Sequence, residues 1–120
     1  MKKKIFLLPA CSTCVKIAKE IGVEQHNFEV HDIKSDGVPE NMLDAIAKQE
    51  GGYEAVFSKR AMKYKSLGLK EKNLSEQDFK NYILNEYTFL KRPVIQIGDT
   101  YFVGNAKKTV EAAKQAITND

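Results

Sequence analysis

Long apolar runs are missing from this sequence. No stretch approaches the ~20 apolar residues of a membrane span. The start, Met1-Lys-Lys-Lys-Ile-Phe-Leu-Leu-Pro-Ala-Cys11, has the basic region, apolar stretch and cysteine of a lipoprotein signal. Its apolar part, Ile5–Leu8, is only four residues long, whereas a signal core needs about 7–15. A chain with neither feature is expected to remain in the cytoplasm and off the membrane, where a disulfide is usually transient and catalytic. Repeats and low-complexity linkers are also missing. Concentrated charge of one sign is scarce: the formal net charge is +3, and Lys2-Lys3-Lys4 is the only basic run. That run suits a solvated strand entry; direct nucleic-acid binding would need more clustering. Arginine is the rarest basic residue, with seventeen Lys against two Arg among nineteen. Genomic bias would produce such a ratio. So would a chain that keeps Arg where a planar, bidentate fork is needed. Arg60 and Arg92 are therefore positions to follow.

What is present is enough for one compact domain: 120 residues, 42% hydrophobic. Ile5–Leu8 suits a strand buried on both faces. After Pro9-Ala10-Cys11, the residues Cys14, Ile17, Ala18 and Ile21 fall at i, i+3, i+4, i+7, one apolar stripe of a helix that Gly22 stops. His26–Ile33 alternates, with Phe28 and Val30 facing one way and Glu29 and His31 the other, and predicts a half-buried strand. Strand, helix and strand form a βαβ unit with a parallel pair. Three helices are expected next. One starts near Pro39, carries Met42, Leu43 and Ile46 and ends at Gly51-Gly52; a shorter one follows Ser58, carries Tyr64 and Leu67 and stops at Gly68. The third opens with Ser75-x-x-Asp78, resembling a capping box, with Leu74 and Phe79 at staple spacing, and continues through Tyr82, Ile83 and Tyr87. Val94–Ile97 and Tyr101–Val103 flank Gly98-Asp99-Thr100 as a hairpin. Gly104-Asn105 caps a last helix with Ala106, Val110, Ala113 and Ile117 on its apolar face. The order predicts an α/β domain: a four-stranded mixed sheet with a helical insertion over about residues 36–90.

Cys11-Ser-Thr-Cys14 follows an apolar strand and opens a helix inside a βαβ pattern, the context in which C-x-x-C reads as a redox motif. Unpaired N–H groups and the helix dipole stabilise a thiolate there. A fall in the Cys11 pKa from about 8.5 to ~6.5 would raise its thiolate fraction at pH 7 from roughly 3% to roughly 75%. Cys14, one turn inside on the buried stripe, suits a resolving thiol that attacks a mixed disulfide formed at Cys11. Two inert core cysteines are the plainer reading, but Cys11 lies beside Pro9 at a helix start. Cys11-x2-Cys14-x11-His26-x4-His31 comes near zinc-finger spacing. A finger needs its histidines on a helix, and here they fall in an alternating strand on opposite faces; no metal is expected. Pro93 opens the hairpin either as a plain strand start or as a cis proline beside the thiols, limiting what approaches them and leaving backbone free for a substrate.

Together these residues resemble the thioredoxin-fold family of glutaredoxin-like arsenate reductases and Spx-type regulators. The resemblance covers nearly the whole chain. It is carried by Leu8-Pro9-Ala10-Cys11-Ser12-Thr13-Cys14, by Ser58-Lys59-Arg60 leading into Tyr64-Lys65-Ser66-Leu67-Gly68-Leu69, and by Leu90-Lys91-Arg92-Pro93-Val94. It implies a single thioredoxin-like domain, 1–120, with Cys11 as nucleophile, Arg60 and Arg92 as the clamp on an oxyanion or carboxylate, and Pro93 in the cis form. The chain departs from arsenate reductases in having Val103-Gly104-Asn105 where a third arginine is typical, an internal cysteine pair, and Val15 after Cys14. The resulting expectation is a monomeric thiol–disulfide reductase without a bound cofactor. It acts on a disulfide, a glutathione adduct or arsenate, and glutathione or thioredoxin restores its dithiol. The alternative is a redox-sensing regulator that binds RNA polymerase, as Spx-type proteins do. Gly51-Gly52 lies near their important glycine, whereas their longer basic C-terminal end is replaced here by Thr118-Asn119-Asp120.

Overall fold

The computed structural model describes residues 2–118. In chain order the elements are β1 (Lys3–Leu7), α1 (Ser12–Ile21), β2 (Glu29–Asp32), α2 (Ile33–Asp36), α3 (Glu40–Glu50), α4 (Met62–Ser66), α5 (Glu76–Asn85), β3 (Val94–Ile97), β4 (Thr100–Val103) and α6 (Lys107–Thr118), with single 3₁₀ turns at Glu54–Val56, Leu69–Glu71 and Tyr87–Phe89. They divide into two compact units. One comprises the described parts of Met1–Asp36 and Arg92–Asp120, the other Gly37–Lys91.

The first unit holds a four-stranded mixed sheet of order β2-β1-β3-β4. β1 runs parallel to β2, with Ile5 opposite Val30 and Phe6 opposite His31; β3 is antiparallel to both β1 and β4. Ile5 and Leu7 of β1, Ile95 and Ile97 of β3, the α1 stripe Cys14, Ile17, Ala18 and Ile21, and Val110, Ala113 and Ile117 of α6 form one buried cluster. This follows from period: alternate strand positions meet two helical stripes. Truncating such a residue, Ile17→Ala for example, costs about 2–5 kcal/mol. α1 ends as its sequence dictates, with Gly22 at φ 76° and its N–H donating to the Ala18 and Lys19 carbonyls. On the other sheet face the His31 ring stacks on Phe6 at 4.8 Å.

The second unit is helical. Phe57 stacks on Phe89 (4.8 Å) and meets Phe79 edge-on (4.9 Å). The expected capping box is present: Asp78 N–H donates to Ser75 Oγ (3.1 Å), and Ser75 N–H donates to Asp78 Oδ2 (2.9 Å). The two ends of this unit are tied by Ser58 N–H to the Phe89 carbonyl (2.6 Å) and Lys91 N–H to the Val56 carbonyl (2.9 Å).

Four sequence expectations need correction. The second strand spans only Glu29–Asp32; His26 lies in the preceding turn, because Gly22 and Asn27 take positive φ. Val30 does share a face with Ile5, but β2 is a sheet edge and Val30 is 54% exposed. Tyr87 is not on α5, which stops at Asn85; the hairpin turn has two residues, since Ile97 pairs with Thr100.

Candidate functional site

Strand directions bring the chemistry to one end of the sheet. β1 ends there and leads to Cys11; antiparallel β3 begins there, so Arg92-Pro93 arrives beside it; β4 ends there at Val103, just before Gly104. Cys11 is the N-cap residue of α1, with extended φ/ψ of −88° and 110°. Its N–H donates to the Leu8 carbonyl (2.9 Å) and its carbonyl accepts from Val15 N–H (3.1 Å). No acidic residue stands in the first turn of α1 to offset the positive helix end.

The two thiols are pushed in opposite directions. Burial raises the Cys11 pKa, but it is outweighed by the Cys14 N–H, the Cys14 thiol and the Arg92 guanidinium, and the thiol lies below its ordinary value of 9.0. The Cys14 N–H does not complete a side-chain capping bond; it acts on the sulfur mainly as a nearby dipole, which a diffuse thiolate charge still feels. Cys14 is fully buried. Burial and the neighbouring Cys11 push its pKa up to about 11, against a lowering by the Leu8 N–H and Arg92. Neither sulfur is in a disulfide.

The Arg92–Pro93 peptide is cis. Pro93 is buried, and its carbonyl accepts from Gly104 N–H at 2.9 Å. The backbone expected to remain free for a substrate is therefore not the proline's own. Thus Cys11, Cys14, Arg92 and Pro93 come together in the first unit. Arg60 belongs to the second, exposed in the turn before α4. Among the described residues no group of three or more His, Cys, Asp and Glu could hold a metal. Sequence reasoning missed two backbone groups, the Leu8 N–H facing Cys14 and the Gly104 N–H holding Pro93. Gly104 was marked only as a helix cap, although a glycine directly after a strand was its signal; φ is 99° there.

An N-cap thiol with a lowered pKa, a buried thiol one turn on and a cis proline across the sheet end stand together on a thioredoxin-like fold. The chain belongs to the ArsC family, whose model matches residues 6–113. It is 29% identical over 109 residues to the uncharacterized protein YusI of Bacillus subtilis, covering 87% of this chain and 91% of that one. It is 27% identical over 92 residues to the global transcriptional regulator Spx of Streptococcus agalactiae, covering 76% and 67%. An arsenate reductase from Vibrio cholerae matches with a TM-score of 0.77 over 97% of this chain and 98% of that one, at 17% identity, a likeness of fold. Among the described residues no helix is long and apolar enough to cross a membrane.

Proposed function

We propose that this protein is a thiol–disulfide reductase. The observation that carries the reading is the opposite bias of the two thiols, Cys11 lowered at the helix start beside Arg92 and Cys14 buried and raised to about 11. The Cys11 thiolate attacks one sulfur of a substrate disulfide. That S–S bond breaks, a mixed disulfide forms at Cys11, and the leaving thiolate takes a proton from solvent. The negative charge on Cys11 is then gone, which removes two influences that raise Cys14. Cys14 loses its proton and attacks Cys11, closing the internal disulfide and releasing the second substrate thiol. Two electrons pass from the pair to the substrate, and a thiol reductant such as glutathione or thioredoxin returns them. Arg92 steadies the thiolate and an anionic substrate group, with Arg60 as the second proposed anion contact; arsenate remains a proposed substrate on family grounds.

A reaction with equimolar oxidised glutathione, quenched with acid and weighed by mass spectrometry, tests this. The wild type is expected to end as the internal disulfide. Cys14→Ser should stop at the glutathione adduct, and Cys11→Ser should be unreacted. Adduct on Cys14 with Cys11 unchanged would overturn the assignment. Similarity to Spx supports a second reading, a redox-sensing regulator. Oxidant-dependent co-purification with RNA polymerase from cell extract, with no turnover of disulfides, would favour it.

A further inference from the structure

The cover over the sheet is incomplete at β2. α1 and α6 bury β1 and β3, but β2 pairs only with β1 among the described residues and keeps an open edge. Val30 stands on that edge strand, on the same face as Ile5 and Leu7, 54% exposed. Beside it lies a cleft of about 370 Å³, lined by Leu7, Pro9, Val15, Ala18, Val23 and Val30, a size and lining that suit a ligand. Its charged lining is one cation and one carboxylate, Lys19 and Glu24. Two of its lining residues are close in sequence to the thiols: Pro9 precedes Cys11 by two residues, at most about 7 Å of chain, and Val15 directly follows Cys14.

We propose that the β2 edge and this cleft bind an extended, apolar stretch of polypeptide, added as a fifth strand, that carries the disulfide attacked by Cys11. The inference rests on the reductase reading and names its substrate class. Strand addition uses the unpaired backbone of β2 for affinity and places the incoming alternate side chains about 4.8 Å from Val30, over the cleft. An apolar lining rewards Leu, Val or Phe at those positions. A glutathione disulfide has no such side chain to bury, and a cleft whose single cation is matched by a single carboxylate has no net attraction for its carboxylates. A long polypeptide therefore fits where glutathione does not. The electron bookkeeping is that of the proposed reaction: the polypeptide disulfide gains two electrons and Cys11–Cys14 loses them.

The test uses the reduced full chain, isotope-labelled, titrated with the blocked peptide Ser-Leu-Val-Leu-Ser, which contains no thiol. Amide shifts are expected on Glu29–Asp32 and along Val15–Lys19, with affinity at least about tenfold weaker in Val30→Lys. The milder Val30→Ala and a thermal melt check that the fold is kept. Rates with a cystine version of the peptide should fall in parallel, while rates with oxidised glutathione stay unchanged. Absence of peptide shifts up to millimolar concentration, or shifts elsewhere, overturns the proposal. So does concentration-dependent shifting of the β2 amides without peptide, which would give the edge to a second copy of the chain. Glutathione disulfide turnover without peptide binding would sink this inference and leave the reductase reading standing. Peptide binding with no reaction at either disulfide would support the surface and sink the reductase reading.

Discussion

At the residue scale, the same chemical group stands in two opposite environments three positions apart. Cys11 sits where helix dipoles and Arg92 favour its anion; Cys14 sits where burial favours its thiol. The spacing of the pair and the helix start were legible in the sequence. The influence of Arg92 was not, since only strand pairing brings residue 92 to residue 11; composition marked the residue and the resemblance gave it a role. Arg92 is therefore the residue to test. Its guanidinium lowers Cys11 by charge and by hydrogen bonding, so removing it must raise the Cys11 pKa. Iodoacetamide alkylation of the reduced protein, followed against pH, reports the thiolate fraction. The midpoint for Arg92→Ala is expected above that of wild type, with Arg92→Lys in between, because Lys keeps the charge and loses the fork. An unmoved midpoint would mean the helix end alone activates the thiol.

At the element scale, the junction after α3 is held by one carboxylate. Glu76, in the first turn of α5, accepts from Tyr53 N–H with Oε1 (2.6 Å) and from Glu54 N–H with Oε2 (3.3 Å). Nearby, Tyr53 donates its hydroxyl proton to Asp44 Oδ1 (2.6 Å), and Lys80 bridges Glu40 (2.9 Å) and Asp44 (3.0 Å). A Cβ on Gly52 would lie 2.6 Å from Glu76 Oε1, and φ there is +150°. Glu76 could swing aside only by giving up both backbone donors. Gly52→Ala is thus expected to cost on the order of 1–3 kcal/mol. In a Glu76→Ala background the same change should cost less, because the collision is gone; chemical denaturation of the four proteins gives the coupling directly. Additive costs would show that backbone strain alone demands the glycine. Gly51-Gly52 as a helix stop was readable, and Gly51 does cap α3 at φ 93°. The second glycine was not, because its reason is a side chain on another helix. The same contrast holds for β2: its alternation was visible in sequence, but an edge position decides how much of Val30 is covered.

At the scale of the whole molecule, the ββ hairpin returns to the strand that leads into α1, and the proposed function predicts that folding is coupled to redox state. The fold class was legible because each element carries its own period and its own stop, and the sheet order follows from a βαβ unit plus a hairpin. The coupling was not legible, because it depends on how the folded state treats a thiolate. A folded state that stabilises the Cys11 thiolate stabilises the reduced form relative to the unfolded chain. Cys11 is depressed, so this contribution is full above its unfolded pKa and is lost as pH falls through the folded one. On the proposed function, an internal disulfide would abolish the contribution and instead constrain the unfolded chain, by about 2 kcal/mol for so short a loop. That loop effect is the same in wild type and Arg92→Ala, so it cancels between them. What remains is the thiolate stabilisation supplied by Arg92, about 1 kcal/mol at a partly exposed sulfur. By the thermodynamic cycle, the unfolding free energy of reduced minus oxidised protein should fall by that amount in Arg92→Ala at pH 7. The reduction potential of the pair, titrated in glutathione buffers, should become more negative by roughly 20 mV, since 30 mV corresponds to about 1.4 kcal/mol for two electrons. Denaturation and redox titration are independent measurements of one quantity. A shift in one without the other would mean that Arg92 acts on the unfolded chain, and a shift in neither would mean that it holds the fold together without acting through the thiolate.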